Sequence, residues 1–382
     1  MKSPKEGNNM SDILRVGIVG CGEVAQIIHL PTLQNLRECF RVTAICDISE
    51  NVLQGVGDLF GVKHRFRDYH DLVDCSEVDA VLVANPHVFH AEVTMAAMAA
   101  GKHVLVEKPM CISIAEADAL IAQERKAGVV AQVGFMRRYA PAFTEAVRLV
   151  RELSDVRLAR VHDVIGRNPL IITQISNVIR PTDLPKDAAE TLRLKQKEMV
   201  AAAIGAVPEP LDTTYLLLLG LASHDISAMR ELLGPPEGVL YAASRGPEGR
   251  TVSAAFDYGG FVCQFETSVD VVPRFDAHIE VYSPSRIVRV DYDTPYVRNL
   301  PGRLTVLEPG PNGMAQRQIL STWRDAFEIE WLAFHENVTT GRRPKTSLAD
   351  AREDLVLFRE MMSIMQESAS ASDTRERAVA GR

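Results

Sequence analysis

The stretch Val16-Gly-Ile-Val-Gly-Cys-Gly-Glu-Val-Ala25 decides the fold of this chain, because an apolar run there ends in a glycine-rich turn. The pattern predicts a buried strand over residues 15–19, then a tight turn and a helix. Free backbone N–H groups and the positive end of the helix dipole at such a turn attract a pyrophosphate. The alternative is an ordinary strand-to-helix turn. The residues predicted to contact a dinucleotide here are Gly20, Gly22, Glu23 and Val24.

An acidic residue closes the second predicted strand, residues 41–46. Asp47 stands roughly 20 residues or slightly more beyond the glycine turn, where dinucleotide-binding folds place the acid that binds the adenosine ribose hydroxyls. The three residues that follow, Ile48, Ser49 and Glu50, offer no cation to a 2′-phosphate. The sequence therefore predicts NAD as the cofactor in preference to NADP.

Strand and helix patterns alternate through the first third of the chain, which predicts an α/β fold with a doubly wound parallel sheet of the Rossmann type. The predicted strands are residues 15–19, 41–46, 80–84, 103–106 and 129–134, and the helices between them are residues 23–34, 51–60, 90–100 and 114–126. Later strands alternate in polarity and predict a second domain, dominated by antiparallel strands. These strands are residues 252–258, 260–269, 277–282 and 286–292.

This change of pattern sets the predicted domain boundaries. We expect a dinucleotide-binding domain over residues 11–134, a substrate and oligomerisation domain over 135–367, and a disordered tail over 368–382. Two helices, residues 324–339 and 348–367, close the second domain, and Ser347 and Asp350 predict a capping box for the last one. Residues 169–210, with a helix over 186–203, form either a surface excursion or a lid beside the substrate.

A lysine follows the predicted strand 103–106, at the sheet edge where ligands bind. Lys108 can hydrogen-bond a substrate hydroxyl and favour its alkoxide as hydride leaves the carbon. Glu107 can hold the lysine ammonium in place, and both residues are expected to contact the cofactor as well. The alternative for this pair is a surface salt bridge at the end of the strand.

Other polar side chains follow neighbouring strands. Asn85 and Pro86 form a turn that can pass under a nicotinamide ribose. His90 starts the next helix and is also expected to bind the cofactor, and its alternative role is to contact backbone groups. Arg137 and Arg138 follow the last strand of the first domain. They can bind phosphate or substrate oxygens, or pair with carboxylates across the domain junction.

Composition narrows the class of protein. The 382 residues suit two domains, and 42 Lys and Arg against 50 Asp and Glu, without a basic block, argue against nucleic acid as a partner. No apolar stretch approaches the ~20 residues that span a bilayer, so no membrane partner is expected. The six cysteines show no paired spacing and suit reduced thiols, and we expect a cytoplasmic protein. No motif predicts a metal site.

Taken together, these motifs resemble the Gfo/Idh/MocA oxidoreductases, and the resemblance runs through nearly the whole chain. The segments that carry it are Gly20-Cys-Gly-Glu-Val-Ala25, Ala84-Asn-Pro with His90, Glu107-Lys108-Pro109, Met136-Arg-Arg-Tyr139, Ser223-His224-Asp225-Ile226 and Gly341-Arg-Arg-Pro-Lys-Thr-Ser347.

The resemblance implies an NAD- or NADP-dependent dehydrogenase for a sugar, cyclitol or related polyol. It implies a C-terminal α+β domain with a large open sheet and a homo-oligomer, a dimer or tetramer. Lys108 matches the active-site lysine of the family and His224 its catalytic histidine, and both are expected to contact substrate. The remaining substrate contacts are expected from Arg138, His162 and Asn168, with Arg167 nearby.

One position departs from the family pattern, because Gly220 stands where members commonly have an acid four residues before the histidine. Asp212 and Asp225 are the candidates to replace it. Two other classes of function therefore stay open. One is an NAD-using lyase or glycoside-cleaving enzyme that oxidises its sugar transiently, and the other is a dinucleotide-binding regulator without catalysis.

Overall fold

A computed structural model describes residues 13–246, 248–320 and 322–380, with side chains as far as residue 369. Its N-terminal half is built on a six-stranded parallel sheet in the order β3-β2-β1-β4-β5-β6. The strands are β1 (Leu14–Val19), β2 (Phe40–Cys46), β3 (His64–Phe66), β4 (Ala80–Val83), β5 (His103–Glu107) and β6 (Ala131–Gly134). This order is that of a Rossmann sheet and confirms the predicted fold class. The first two residues of the predicted domain, 11 and 12, lie outside the described residues.

Serine caps and glycines set the ends of two helices in this half. Ser49 and Ser113 cap the N-termini of α2 and α5, and Gly61 and Gly128 end the same helices with positive φ. The helices are α1 (Leu30–Asn35), preceded by a π-helical turn at Ala25–His29, α2 (Glu50–Phe60), α3 (Tyr69–Val73), α4 (His90–Ala99) and α5 (Ile114–Ala127). The elements β3 and α3 are not predicted from the sequence, because three and five residues are too few to show a repeat of apolar positions.

The second sheet has eight strands in the order β14-β13-β12-β11-β7-β10-β9-β8. All neighbours are antiparallel except β7 and β10, which confirms a large, mostly antiparallel open sheet. The strands are β7 (Leu158–Gly166), β8 (Gly238–Arg245), β9 (Thr251–Asp257), β10 (Val262–Asp270), β11 (Phe275–Tyr282), β12 (Ile287–Tyr292), β13 (Arg303–Gly310) and β14 (Gly313–Ile319). Of these, β7, β8, β13 and β14 are absent from the sequence-based assignment.

Helices α6, α10 and α12 cover one face of this sheet. The helices of the C-terminal half are α6 (Pro141–Arg151), α7 (Pro169–Ile175), α8 (Ala188–Ile204), α9 (Leu211–Leu217), α10 (Ser223–Leu233), α11 (Ala326–Thr340) and α12 (Leu348–Ala380). A π-helical turn, Leu218–Ala222, joins α9 to α10. This turn places a backbone carbonyl in the site described below.

Two details at the C-terminus differ from the sequence-based expectation. The last helix continues to Ala380, over most of the segment predicted to be disordered, because six of the residues 368–380 are Ala or Arg, which favour helix. The N–H of Asp350 donates to Ser347 Oγ at 3.3 Å, which is half of the predicted capping box. The Asp350 carboxylate instead accepts from Arg138 and Arg230.

The helix α11 returns from the second sheet to the first domain and completes its core. The fully buried Trp331 packs edge-on against Phe40 and lies next to Phe334. The two halves of the chain are therefore joined by a buried apolar contact as well as by the polypeptide. Among the described residues, no helix combines the length and apolarity that crossing a membrane requires. All six cysteines carry free thiols.

Candidate active site

The glycine turn has the geometry that the sequence predicts. Gly20 has a φ of +94°, and a Cβ there would lie 2.4 Å from the backbone nitrogen of Asn85, so only glycine fits. A Cβ on Gly22 would meet nothing within 4 Å, which leaves open space beside the start of the helix that follows. Glu23 and Val24 begin that helix. These features fit the pyrophosphate of a dinucleotide.

Asp47 lies against this turn. Its carboxylate accepts hydrogen bonds from the backbone N–H of Cys21 at 2.9 Å and of Ser49 at 2.9 Å. The two bonds fix the carboxylate between the glycine turn and the start of α2. A carboxylate held there can still accept from ribose hydroxyls, since each oxygen has a further lone pair.

The turn after β4 is tied to the turn after β5 by a histidine. The ring nitrogens of His90 lie 2.7 Å from the carbonyl oxygens of Pro109 and Asn85, and the side chain is 3% exposed. The expectation that His90 binds the cofactor is therefore replaced by its structural alternative, a contact to backbone groups. Asn85 and Pro86 stay beside the glycine turn, because the backbone of Asn85 contacts Gly20.

Glu107 is held by a chain of buried groups rather than by Lys108. Trp331 Nε1 donates to His29 Nδ1 at 3.0 Å, and His29 Nε2 lies 2.9 Å from Glu107 Oε1. Since Nδ1 accepts, the ring carries its proton on Nε2 and donates it to the carboxylate. Burial acts to raise the pKa of Glu107, but the His29 hydrogen bond and the Lys108 charge outweigh it and the pKa is lowered. Glu107 therefore stays an anion beside the lysine.

The Lys108 ammonium donates a hydrogen bond to the backbone carbonyl of Gly220. That carbonyl belongs to the π-helical turn before α10, at the position where the family resemblance implies an acidic side chain. Burial lowers the pKa of Lys108, while the charges of Glu107, Asp163 and Asp225 act against that shift. The backbone oxygen thus takes over the contact to the lysine that a carboxylate would make.

His224 lies in the first turn of α10, four residues beyond Gly220. The side chain is 8% exposed, and its Nδ1 has no hydrogen-bond partner among the described residues. Burial lowers the pKa of His224 well below its usual value, and the charges of Lys108 and Arg137 add to the effect. His224 is therefore a neutral imidazole next to a lysine ammonium, with one nitrogen available to accept a proton.

Arg137 is the centre of a buried ion cluster. Its Nη1 lies 3.0 Å from Asp163 Oδ2 and 2.5 Å from Asp225 Oδ1, and both carboxyl groups are fully buried. Burial and the neighbouring Asp163 raise the pKa of Asp225 well above its usual value, against the opposing effect of Arg137. Arg137 therefore pairs with carboxylates across the domain junction, which is the alternative that the sequence offers to its expected contact with the cofactor.

The three other residues expected to contact substrate have protein partners in the structure. Arg138 bonds to Glu231, Ser227 and Asp350 and is 4% exposed. His162 lies on the outer face of the second sheet, stacked on His278 with ring centroids 4.9 Å apart. Its neighbour Asp163 points to the inner face, because successive residues of a strand alternate between faces. Asn168 Nδ2 donates to the hydroxyl of Tyr296 at 3.4 Å and does not contact Lys108 or His224.

The structure adds residues that the sequence analysis misses, namely His29, Trp331 and Asp163. His29 ends the π-helical turn before α1, and Trp331 lies more than 300 residues further along the chain, so no local sequence pattern joins them. Asp163 is a lone acid in an apolar alternation, a signal that points to a buried ion partner.

Asp212, one candidate for the missing family acid, instead accepts from the N–H of Thr213 at the start of α9.

Comparison with known proteins agrees with this geometry. Residues 14–135 match the Gfo/Idh/MocA model, an oxidoreductase family with an NAD-binding Rossmann fold. A myo-inositol 2-dehydrogenase of Thermotoga maritima is 25% identical over 360 residues, which cover 90% of this chain and 94% of that protein. An inositol 2-dehydrogenase of Salmonella typhimurium is 34% identical over 139 residues, 36% of this chain and 41% of that protein. An aldose-aldose oxidoreductase from Caulobacter crescentus, crystallised with glycerol, shares the fold with a TM-score of 0.72 and 23% identity over 93% of this chain and 98% of that one.

The glycine turn, the Rossmann sheet and the family match together define an NAD(P)-dependent oxidoreductase. The match to the Gfo/Idh/MocA family covers the first domain, residues 14–135, and the similarity to a myo-inositol 2-dehydrogenase extends over 90% of the chain.

Proposed function

We propose that this protein is an NAD-dependent dehydrogenase that oxidises a carbinol carbon of a sugar, cyclitol or glycoside. The observation that carries the proposal is that Lys108, at the carboxyl end of β5, bonds to the carbonyl of Gly220, four residues before His224. The inositol dehydrogenases among its relatives support a polyol substrate, and the length of the Thermotoga maritima alignment extends that support to both domains.

The two side chains have complementary roles in this reaction. The bound dinucleotide supplies the hydride acceptor. His224 accepts the hydroxyl proton of the substrate, for which a neutral imidazole is suited. Lys108 donates a hydrogen bond to the same oxygen and stabilises its developing negative charge. Glu107, held by His29, keeps a compensating charge beside the ammonium.

The preference for NAD follows from the charges at the end of β2. Asp47 is fixed by Cys21 and Ser49 at the position of the adenosine ribose. A 2′-phosphate there would meet a carboxylate, and no Arg or Lys stands among residues 48–50 to offset it.

A panel of sugars, cyclitols and glycosides tests the proposal, with NADH formation followed by absorbance and dinucleotide binding measured by calorimetry. We expect net NADH formation with at least one cyclitol or sugar. Glycoside cleavage without net NADH would support transient oxidation instead. Binding of NAD with no turnover of any compound in the panel would favour a regulator.

The buried state of His224 predicts the pH dependence of the reaction. Because its pKa is lowered, the imidazole stays neutral as the pH falls through 6.5, and kcat/KM should decline only at lower pH. His224→Gln should reduce kcat by about 10²–10⁴-fold and remove this acidic limb. His64→Gln, at the exposed start of β3, is the matched control and should leave both unchanged. An acidic limb that persists in His224→Gln would assign the base to another residue.

A further inference from the structure

The segment between α7 and α8 crosses from the second domain onto the dinucleotide-binding domain. The backbone N–H of Ile179 donates to Gln26 Oε1 at 2.9 Å, and Gln26 Nε2 donates to the carbonyl oxygens of Ile179 at 2.9 Å and Cys21 at 2.7 Å. The buried Gln26 amide thus joins this segment to the glycine turn. We call residues 176–183 the strap.

Further contacts fix the strap to both helices that border the cofactor site. Arg180 pairs with Glu23 at 2.6 Å at the start of the first helix. The side chain of Ile179 packs on α2 so closely that a Cβ on Gly55 would lie 2.9 Å from it. Asn51 accepts from the N–H of Thr182 at 2.8 Å and donates to the carbonyl of Arg180 at 3.0 Å. The strap therefore lies over the adenosine side of the predicted dinucleotide site.

The last residue of the strap places a carboxylate at the start of α2. Asp183 accepts from Ser49 Oγ at 2.5 Å, from the N–H of Glu50 at 2.8 Å and from the N–H of Asn51 at 3.2 Å. These hydrogen bonds lower the pKa of Asp183, the Ser49 bond having the largest effect. Asp183 is thus an anion bound where a helix N-terminus binds anions.

Ser49 connects this carboxylate to the residue that is predicted to bind ribose. Its N–H donates to Asp47 and its hydroxyl to Asp183, so the two acids lie on either side of one residue. A phosphate attached to the ribose oxygen next to Asp47 would need the donors that Asp183 already occupies. It would also face two negative charges.

We propose that Asp183 is a second determinant of cofactor selectivity, which excludes the 2′-phosphate of NADP by occupying the donors at the start of α2. The inference rests on the proposed use of NAD. It assigns to the segment 169–210 a role at the cofactor, whereas the sequence analysis weighs a lid beside the substrate against a surface excursion.

The test compares the dissociation constants of NAD and NADP, measured by calorimetry without substrate. Asp183→Ala removes one negative charge and frees a hydroxyl and two N–H donors, so NADP affinity relative to NAD should rise by about tenfold or more. Asp183→Asn, which keeps an acceptor but no charge, should give a smaller rise. Asp187→Asn removes the same charge from an exposed position with no side-chain cap contact and should change the ratio less than about twofold.

The other possible outcomes separate a failure of this inference from a failure of the proposed function. An unchanged ratio in Asp183→Ala, with NAD still preferred, would overturn the role of Asp183 and leave the proposed dehydrogenase intact. Equal losses of NAD and NADP affinity would show that Asp183 only fastens the strap, and would also overturn it. A native protein that binds neither dinucleotide, or that prefers NADP, would overturn the proposed NAD use and the inference with it. Thermal unfolding of each variant verifies that the fold is retained.

Discussion

Replacing Lys108 by methionine should reduce kcat by about 10²–10⁴-fold while the dissociation constant of NAD changes by about threefold or less. Methionine keeps most of the length of the side chain but can donate no hydrogen bond, so the substrate oxygen loses its stabilising ammonium. The carbonyl of Gly220 also loses its donor. The measurement is steady-state turnover with the best substrate of the panel, together with calorimetric titration of NAD.

Lys102→Met is a matched control for this experiment. Lys102 also donates to backbone carbonyls, those of Val78 at 2.8 Å and Cys75 at 3.1 Å, but it lies at the opposite end of β5. This variant loses a lysine–carbonyl contact without touching the site and should turn over within about twofold of the native protein. A Lys108→Met variant that keeps more than a tenth of native turnover would contradict the role given to the ammonium.

Arg137→Met should lower the free energy of unfolding by about 3–5 kcal/mol, because it leaves Asp163 and Asp225 buried without their cation. The variant must keep both acids protonated, so its folded state binds more protons than its unfolded state. Its stability should therefore fall as the pH rises through and above the ordinary carboxylate range. Urea unfolding at several pH values measures both effects.

Two further variants separate the buried charge from the loss of side-chain volume. Adding Asp163→Asn to Arg137→Met should restore part of the stability and weaken its pH dependence, because one uncompensated acid is removed. Arg148→Met breaks exposed ion pairs to Glu145 and Glu152 and should have little effect. Equal losses in Arg137→Met and Arg148→Met would show that the cluster is not held as described.

The first domain could be predicted from sequence because each of its signals is local. The apolar run that ends in Gly20 and the acid at Asp47 depend on residues close in the chain, and the structure has the predicted strand and turn there. Short elements and the strands of the second sheet were harder to predict. The partners of β7 lie more than 100 residues away in sequence. In β14 the first six residues are exposed, so no buried face produces an apolar alternation.

At the candidate active site, the sequence identifies the polar residues but not the groups that each of them contacts. His162 and Asp163 are adjacent, and the register of β7 alone decides that the acid faces the inner side and the histidine the outer. Likewise, the sequence admits both roles for Arg137 and Arg138, and only the packing of β7, α10 and α12 supplies the acids that bind them.

The sequence alone predicts the dinucleotide fold, the glycine turn with its acid, and a lysine at the end of a strand, because these depend on local backbone conformation and strand position. His224 is named only through the resemblance to a known family. Tertiary structure alone decided which charges meet. It bonded Lys108 to the carbonyl of Gly220, buried Arg137 between two acids, and brought Asp183 to the start of α2. Burial makes an unpaired charge costly, so these partners are fixed by three-dimensional packing, which a linear pattern does not encode.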